Sequence, residues 1–224
     1  MQLFSEISPL AWTLGQVQTT QNRKGIPIVD QLNQHVEVKL CENTRPLRVP
    51  FQPSNYDKDD TKTRLSCVLV LEPEQITWLA EIERWAVQTI SQRASELDWT
   101  PEQVVSYFKS SVKANEKFGV TQFSVKLNTS GRFRIQFWNS SMVAMGDELI
   151  NLVDQHIVPI VKLRGIWVQP GTNMWGLSWD MTNCLLQKRS FICPFIEEMS
   201  DDKENTNAPY LMCITRREHS SYTC

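Results

Sequence analysis

Hydrophobic and polar positions alternate along part of this chain and recur at helical spacing along another part. Ile26–Val29 (IPIV) and Val36–Leu40 (VEVKL) predict short strands. Arg45–Phe51 (RPLRVPF) carries two prolines, which cannot donate to a ladder, so an extended and poorly paired segment is expected. Asn55–Thr63 is a charged loop, and Leu65–Leu71 (LSCVLVL) is apolar enough for a strand buried on both sides. From Glu72 to Leu97 the period changes. Pro73 suits a first helical position, and Trp78, Ile82, Trp85, Ala86, Thr89 and Ile90 fall on one stripe. Thr100 and Gln103 have the spacing of a capping box. They open a second helix carrying Val104, Val105, Tyr107, Phe108 and Val112, expected to end near Gly119.

Val120–Trp138 (VTQFSVKLNTSGRFRIQFW) returns to period two around a polar turn, Asn128–Gly131, and predicts a β-hairpin. One parity carries Phe123, Val125, Leu127, Phe133, Ile135 and Phe137, which belong in a core. The other carries Gln122, Ser124, Lys126, Arg132, Arg134, Gln136 and Trp138, a basic and hydrogen-bonding surface with one ring. Gly146–Val153 is a short helix or a loop and strand. Ile157–Val168 and Met174–Leu186 then predict two strands joined by a turn at Gln169–Asn173. In the first of these, Lys162 and Arg164 share a parity opposite to Val161, Leu163 and Trp167, which places Trp167 in the core. Trp175 and Trp179 share a parity with Leu177 and are core candidates, as are Trp78 and Trp85 on the helix stripe.

Strands segregated from helices predict an α+β, β-rich architecture. The best fit is an oligonucleotide-binding (OB-fold-like) antiparallel barrel with a two-helix insert at about 72–118 between its strands. One such domain is expected over 1–196, followed by a polar C-terminal tail, 197–224, whose composition favours disorder.

A net charge of −2 excludes a polycation, so any nucleic-acid binding must come from a local patch. The six cysteines include no C-x-x-C pair and only three histidines accompany them, which argues against a zinc site. No secretory leader or apolar run long enough for a membrane span is legible, so a soluble intracellular protein with reduced thiols is expected. No G-x-S-x-G, glycine-rich phosphate loop or H-E-x-x-H is present. The Asp57–Asp60 cluster reads as a solvated loop, and Asp154 with His156 has no nucleophile beside it. The expectation is a protein that is not an enzyme and uses no cofactor or metal.

Four pieces of the sequence, taken in order, resemble a known family. They are Arg48-Val49-Pro50-Phe51 before the charged loop and Leu65–Leu71; the helical middle; Phe123-x-Val125-Lys126-Leu127 with Arg132-Phe133; and Ile160–Val168 followed by a turn and Trp175-Gly176-Leu177-Ser178-Trp179. The Gly165-Ile166-Trp167, turn, Gly176-Leu177-Ser178-Trp179 arrangement is the most specific. The pattern, over residues 25–187, is similar to proteins of large DNA viruses of algae and protists, themselves akin to single-stranded-DNA-binding proteins of the bacteriophage T7 type. The resemblance implies an OB-fold barrel that coats single-stranded DNA in replication and recombination and has no catalytic residues. It would put the protein in the nucleus or a viral replication compartment, with replication proteins as partners to test; a homo-oligomer is a separate expectation, from the free edge a small barrel leaves open. That family ends in an acidic tail with a terminal aromatic residue. Here an acidic stretch at Glu197–Glu204 runs on to Arg216-Arg217 and Cys224, so the resemblance does not extend to the tail.

Binding an unpaired strand needs cations along a groove and rings facing the bases. Lys126, Arg132, Arg134, Lys162 and Arg164 are the candidate cations and Trp138 the candidate ring. This face has no reader of the 2′-hydroxyl, so RNA stays an alternative to DNA. The competing expectation is a virion or assembly protein that uses its sheet edges for protein contacts.

Overall fold

Two proline-led α-helices and one mixed sheet make up the fold. The computed structural model describes residues 2–20, 23–54, 63–146, 151–169 and 171–187. The chain divides into two units, residues 1–189 and 190–224, and all described residues lie in the first. The Asp57–Asp60 loop and the 197–224 tail lie outside the described residues.

The strands are β1 (Gln2–Leu3), β2 (Thr13–Leu14), β3 (Gln18–Thr20), β4 (Arg23–Val29), β5 (Val36–Lys39), β6 (Leu47–Arg48), β7 (Arg64–Leu71), β8 (Val112–Asn115), β9 (Val120–Asn128), β10 (Gln136–Trp138), β11 (His156–Val168) and β12 (Trp175–Gln187). Two α-helices, α1 (Pro73–Gln92) and α2 (Pro101–Tyr107), lie between β7 and β8. The main path through the sheet runs β1-β5-β11-β12-β9-β7, with β4 and β6 also on β11, β10 on β12 and β8 on β9.

α1 starts where sequence chemistry starts it. The Glu72 N–H donates to Gln75 Oε1 at 3.0 Å, and buried Gln75 in turn donates to the Leu40 carbonyl at 3.2 Å. Its stripe of Trp78, Leu79, Ile82, Ala86 and Ile90 is buried. The Trp78 ring stands 6.1 Å from that of Trp179 on β12, and Trp179 stands 5.6 Å from Phe123 on β9. Each large apolar side chain sealed this way stabilises the fold by about 1.5–3 kcal/mol. Helices therefore cover the sheet face that carries Trp179 and Phe123, and the opposite face of β9, β12 and β11 is the outer one.

The second helix ends sooner than its apolar positions suggest. Thr100 and Gln103 form the expected capping box, but Phe108 is already extended. The Phe108 ring packs 4.8 Å from Trp175, and the Lys109 N–H donates to the Trp175 carbonyl at 2.7 Å. These long-range bonds draw the chain out of the helix, and residues 112–115 become β8 on β9. The helical insert expected at about 72–118 is thus corrected to two helices followed by a strand.

The hairpin expected over Val120–Trp138 does not form. β9 pairs antiparallel with β7 from Arg64↔Asn128 to Leu71↔Thr121, while β10 pairs parallel with Asn183–Leu185 of β12. β9 also meets β12 in parallel, at Lys126↔Asp180 and Leu127↔Met181. β9 and β10 therefore run the same way along β12, interrupted by a loop that closes where the Ile135 N–H donates to the Asn128 carbonyl at 2.8 Å. The parallel pairs, including β1 with β5, correct the expectation of a purely antiparallel barrel. Among the described residues the ladders do not close on themselves.

Candidate nucleic-acid interface

The outer face is organised by one extra residue. On the β11–β12 ladder Leu163 pairs with Trp179 and Gly165 with Ser178, so Arg164 is a bulge. Before it the odd residues Val161 and Leu163 are buried; after it the even residues Ile166 and Val168 are. The parity flip puts Trp167 on the same outer side as Lys162 and Arg164, half-buried and not in the core, which corrects the reading from simple alternation. A glycine is required at this point. Gly165 has φ +147°, and a Cβ there would stand 2.1 Å from the Ile26 carbonyl oxygen of β4, which begins to pair with β11 at this residue.

The register gives Trp167 a bare surround. Its cross-strand neighbours are Gly25 on β4 and Gly176 on β12. A Cβ on Gly176 would lie 3.0 Å from the indole Cζ2 of Trp167, so the ring rests against glycine backbone. The indole N–H donates to the Leu177 carbonyl at 3.2 Å and fixes the ring's orientation. Trp167, Lys24, His35, Arg164, Gly165 and Ser178 line a groove of about 410 Å³.

Beside this groove lies a cluster of cations around one acid. Asp180 on β12 has Lys162 of β11 and Lys126 of β9 as its register partners on either side. Its side chain is only 5% exposed. It accepts from Arg64 Nη2 at 2.9 Å, from Arg164 Nε at 2.9 Å and from Asn128 Nδ2 at 3.3 Å. The Arg164 guanidinium carbon stands 4.7 Å from the centroid of the Phe133 ring, and that of Arg132 stands 5.7 Å from it. Phe133, expected in the core, is 57% exposed, because it belongs to the 129–135 loop and not to a strand. Lys162 lies 3.8 Å from Glu37 on β5.

The structure therefore brings together Lys126, Lys162, Arg164 and, through Phe133, Arg132. Arg134 is half-buried in the turn where its N–H donates to the Gly131 carbonyl at 3.2 Å. Trp138 stands apart from the cluster. Its indole donates to Asn183 Oδ1 at 3.0 Å, and it lines a separate, more apolar groove of about 500 Å³ with Lys39, Met142, Ile160 and Leu185. Sequence reasoning missed Trp167, Phe133, Lys24 and Arg64. The one signal that pointed to Trp167 was a glycine inside a strand pattern, which marks a bulge. Among the described residues no helix is long and apolar enough to cross a membrane.

No family model matches this sequence, and no curated protein does. Among solved structures, gp2.5, a single-stranded DNA binding protein encoded by bacteriophage T7, is similar over 79% of this chain and 100% of its own, at 11% identity and a TM-score of 0.49. The single-stranded DNA-binding protein from bacteriophage Enc34 in complex with single-stranded DNA is similar over 79% of this chain and 96% of its own, at 12% identity and a TM-score of 0.41.

Proposed function

We propose that this protein binds single-stranded DNA, without catalysis and with little sequence preference, on the outer face of β9, β12 and β11. The observation that carries the reading is Trp167, flanked in register by two cross-strand glycines with its ring against Gly176, in one groove with Lys24 and Arg164. Bare neighbours leave room for a base on the ring, and every base has a π-face, so such a platform is tolerant of sequence. Lys162, Arg164, Lys126 and Arg132 supply the charge that tracks phosphates, and the exposed Phe133 is a second ring. From Ile160 to Trp167 the outer stripe of β11 spans about 23 Å at ~3.3 Å per residue.

An OB-like arrangement of the strands belongs to the same proposal. The segment from Leu47, paired with Ile157 of β11, to Ser54, bonded to Ser66 of β7, carries the chain from β11 to β7, two strands that β12 and β9 separate in the sheet. Coating of exposed single strands is what DNA replication and recombination require, and we place the protein there.

Anisotropy titration of labelled single-stranded DNA, duplex DNA and RNA at two salt concentrations tests the reading. Preference for the single-stranded oligonucleotide, with affinity falling as salt rises, is expected. Binding to none of the three, or a salt-independent oligomer formed without DNA, would replace this reading with an assembly role.

A further inference from the structure

A carboxylate at the centre of an anion-binding face needs an explanation, because it opposes the ligand. Asp180 is buried between strands, takes one guanidinium on each oxygen, and receives Asn128 as well. The two arginines come from strands that are not neighbours, since β9 and β12 separate β7 from β11. Arg64 opens β7 with its side chain 44% exposed, and Arg164 sits at the β11 bulge with 23% exposed. Without a shared acceptor, two long cationic side chains on one surface repel and disperse over many rotamers. One carboxylate holds both heads within a few ångströms while neutralising only one of their two charges. Each guanidinium spends one N–H on the buried carboxylate, which restricts its rotamers and leaves its other donors facing outward, and Arg164 is further held over the Phe133 ring.

We infer that Asp180 is a positioning residue that presents Arg64 and Arg164 together to the phosphate backbone of the bound strand, and that Arg64 is a contact residue of that site. The inference rests on the function proposed above. It assigns roles to two residues that neither residue periodicity nor charge counting singles out.

The sign of one substitution separates positioning from bulk electrostatics. Asp180→Asn moves the formal net charge from −2 to −1, so attraction by net charge alone predicts tighter binding of an anion. Positioning predicts weaker binding, by about tenfold or more, because two guanidinium groups no longer hold the orientation that phosphate requires. The full chain and its variants are titrated into a short fluorescein-labelled oligothymidylate, with thermal unfolding recorded for each. In an Arg164→Gln background, Asp180→Asn is expected to have a much smaller effect, since the pair it orders is already broken. Arg64→Lys is the second variant, which guards against a misfolded Asp180→Asn. It keeps the charge and removes the forked geometry, and a loss of several-fold is expected. Wild-type binding with Asp180→Asn folded and equally tight or tighter, or with Arg64→Lys unchanged, overturns the inference and leaves the proposed function standing. No binding by the wild type removes both.

Discussion

Arg164 lies over Phe133, its guanidinium carbon 4.7 Å from the ring centroid, while its Nε donates to the buried Asp180 at 2.9 Å. The arginine thus joins a buried anion to an exposed ring. Arg164→Ala is expected to weaken single-stranded DNA binding and to flatten the salt dependence by about 0.7 for each phosphate that Arg164 neutralises. The slope of log affinity against log salt, compared with wild type, is the measurement. An unchanged slope would remove Arg164 from the interface.

Two tryptophans make opposite predictions. Trp167 rests on glycine backbone in the basic groove, while Trp138 is tied to Asn183 in another groove. Trp167→Ala is expected to cost about 1–3 kcal/mol of binding, the usual value of a stacked base, and to abolish most of the fluorescence quenching on DNA addition. Trp138→Ala is expected to leave the quenching in place. If Trp138→Ala removes it and Trp167→Ala does not, the strand lies in the Trp138 groove instead.

Gly165 is where β4 meets β11, and any Cβ meets the Ile26 carbonyl oxygen at 2.1 Å. Gly165→Ala is expected to destabilise by roughly 2 kcal/mol or more, from backbone strain plus the displaced strand. Chemical denaturation with a shared m-value measures it. Gly176→Ala meets the Lys109 carbonyl oxygen at 2.6 Å and the Trp167 ring at 3.0 Å, so it is expected to reduce DNA affinity as well as stability.

Cys41, Cys67 and Cys184 are buried and free. Burial holds the Cys41 thiol up at about 11 and the Cys67 thiol up at about 12, against an ordinary value near 9, and raises Cys184 too. The folded state keeps these protons longer than the unfolded state does. Their contribution to stability is therefore complete below pH ~9 and is lost as pH rises from there through about 11 to 12. Denaturation midpoints that fall steeply over that window are expected, as is resistance of these three thiols to alkylation at neutral pH until denaturant is added. Rapid labelling of Cys41, Cys67 or Cys184 in the native protein would contradict the packing described.

By itself, the sequence determined whatever a side chain's own neighbours decide. The α1 stripe, the Thr100–Gln103 cap and the two long strands at 156–168 and 175–187 follow from local periodicity and capping chemistry. Lys126, Lys162 and Arg164 lie on the side that alternation assigns them, and Trp175 and Trp179 are core as their shared parity with Leu177 allows. Tertiary structure alone decided which strand each edge meets. Residues 132–138 alternate as a hairpin arm should, but alternation does not name a partner; β12 took Gln136–Trp138, and Phe133 was left in a solvent-facing loop. The side that Trp167 faces was set by a one-residue slip against β12 where β4, more than 130 positions earlier in the chain, pairs with the other edge of β11. Asp180 collects Arg64 and Arg164 from residues 116 and 16 positions away. Periodicity records only which way a side chain points relative to its immediate neighbours, so pairings over such separations leave no trace in it.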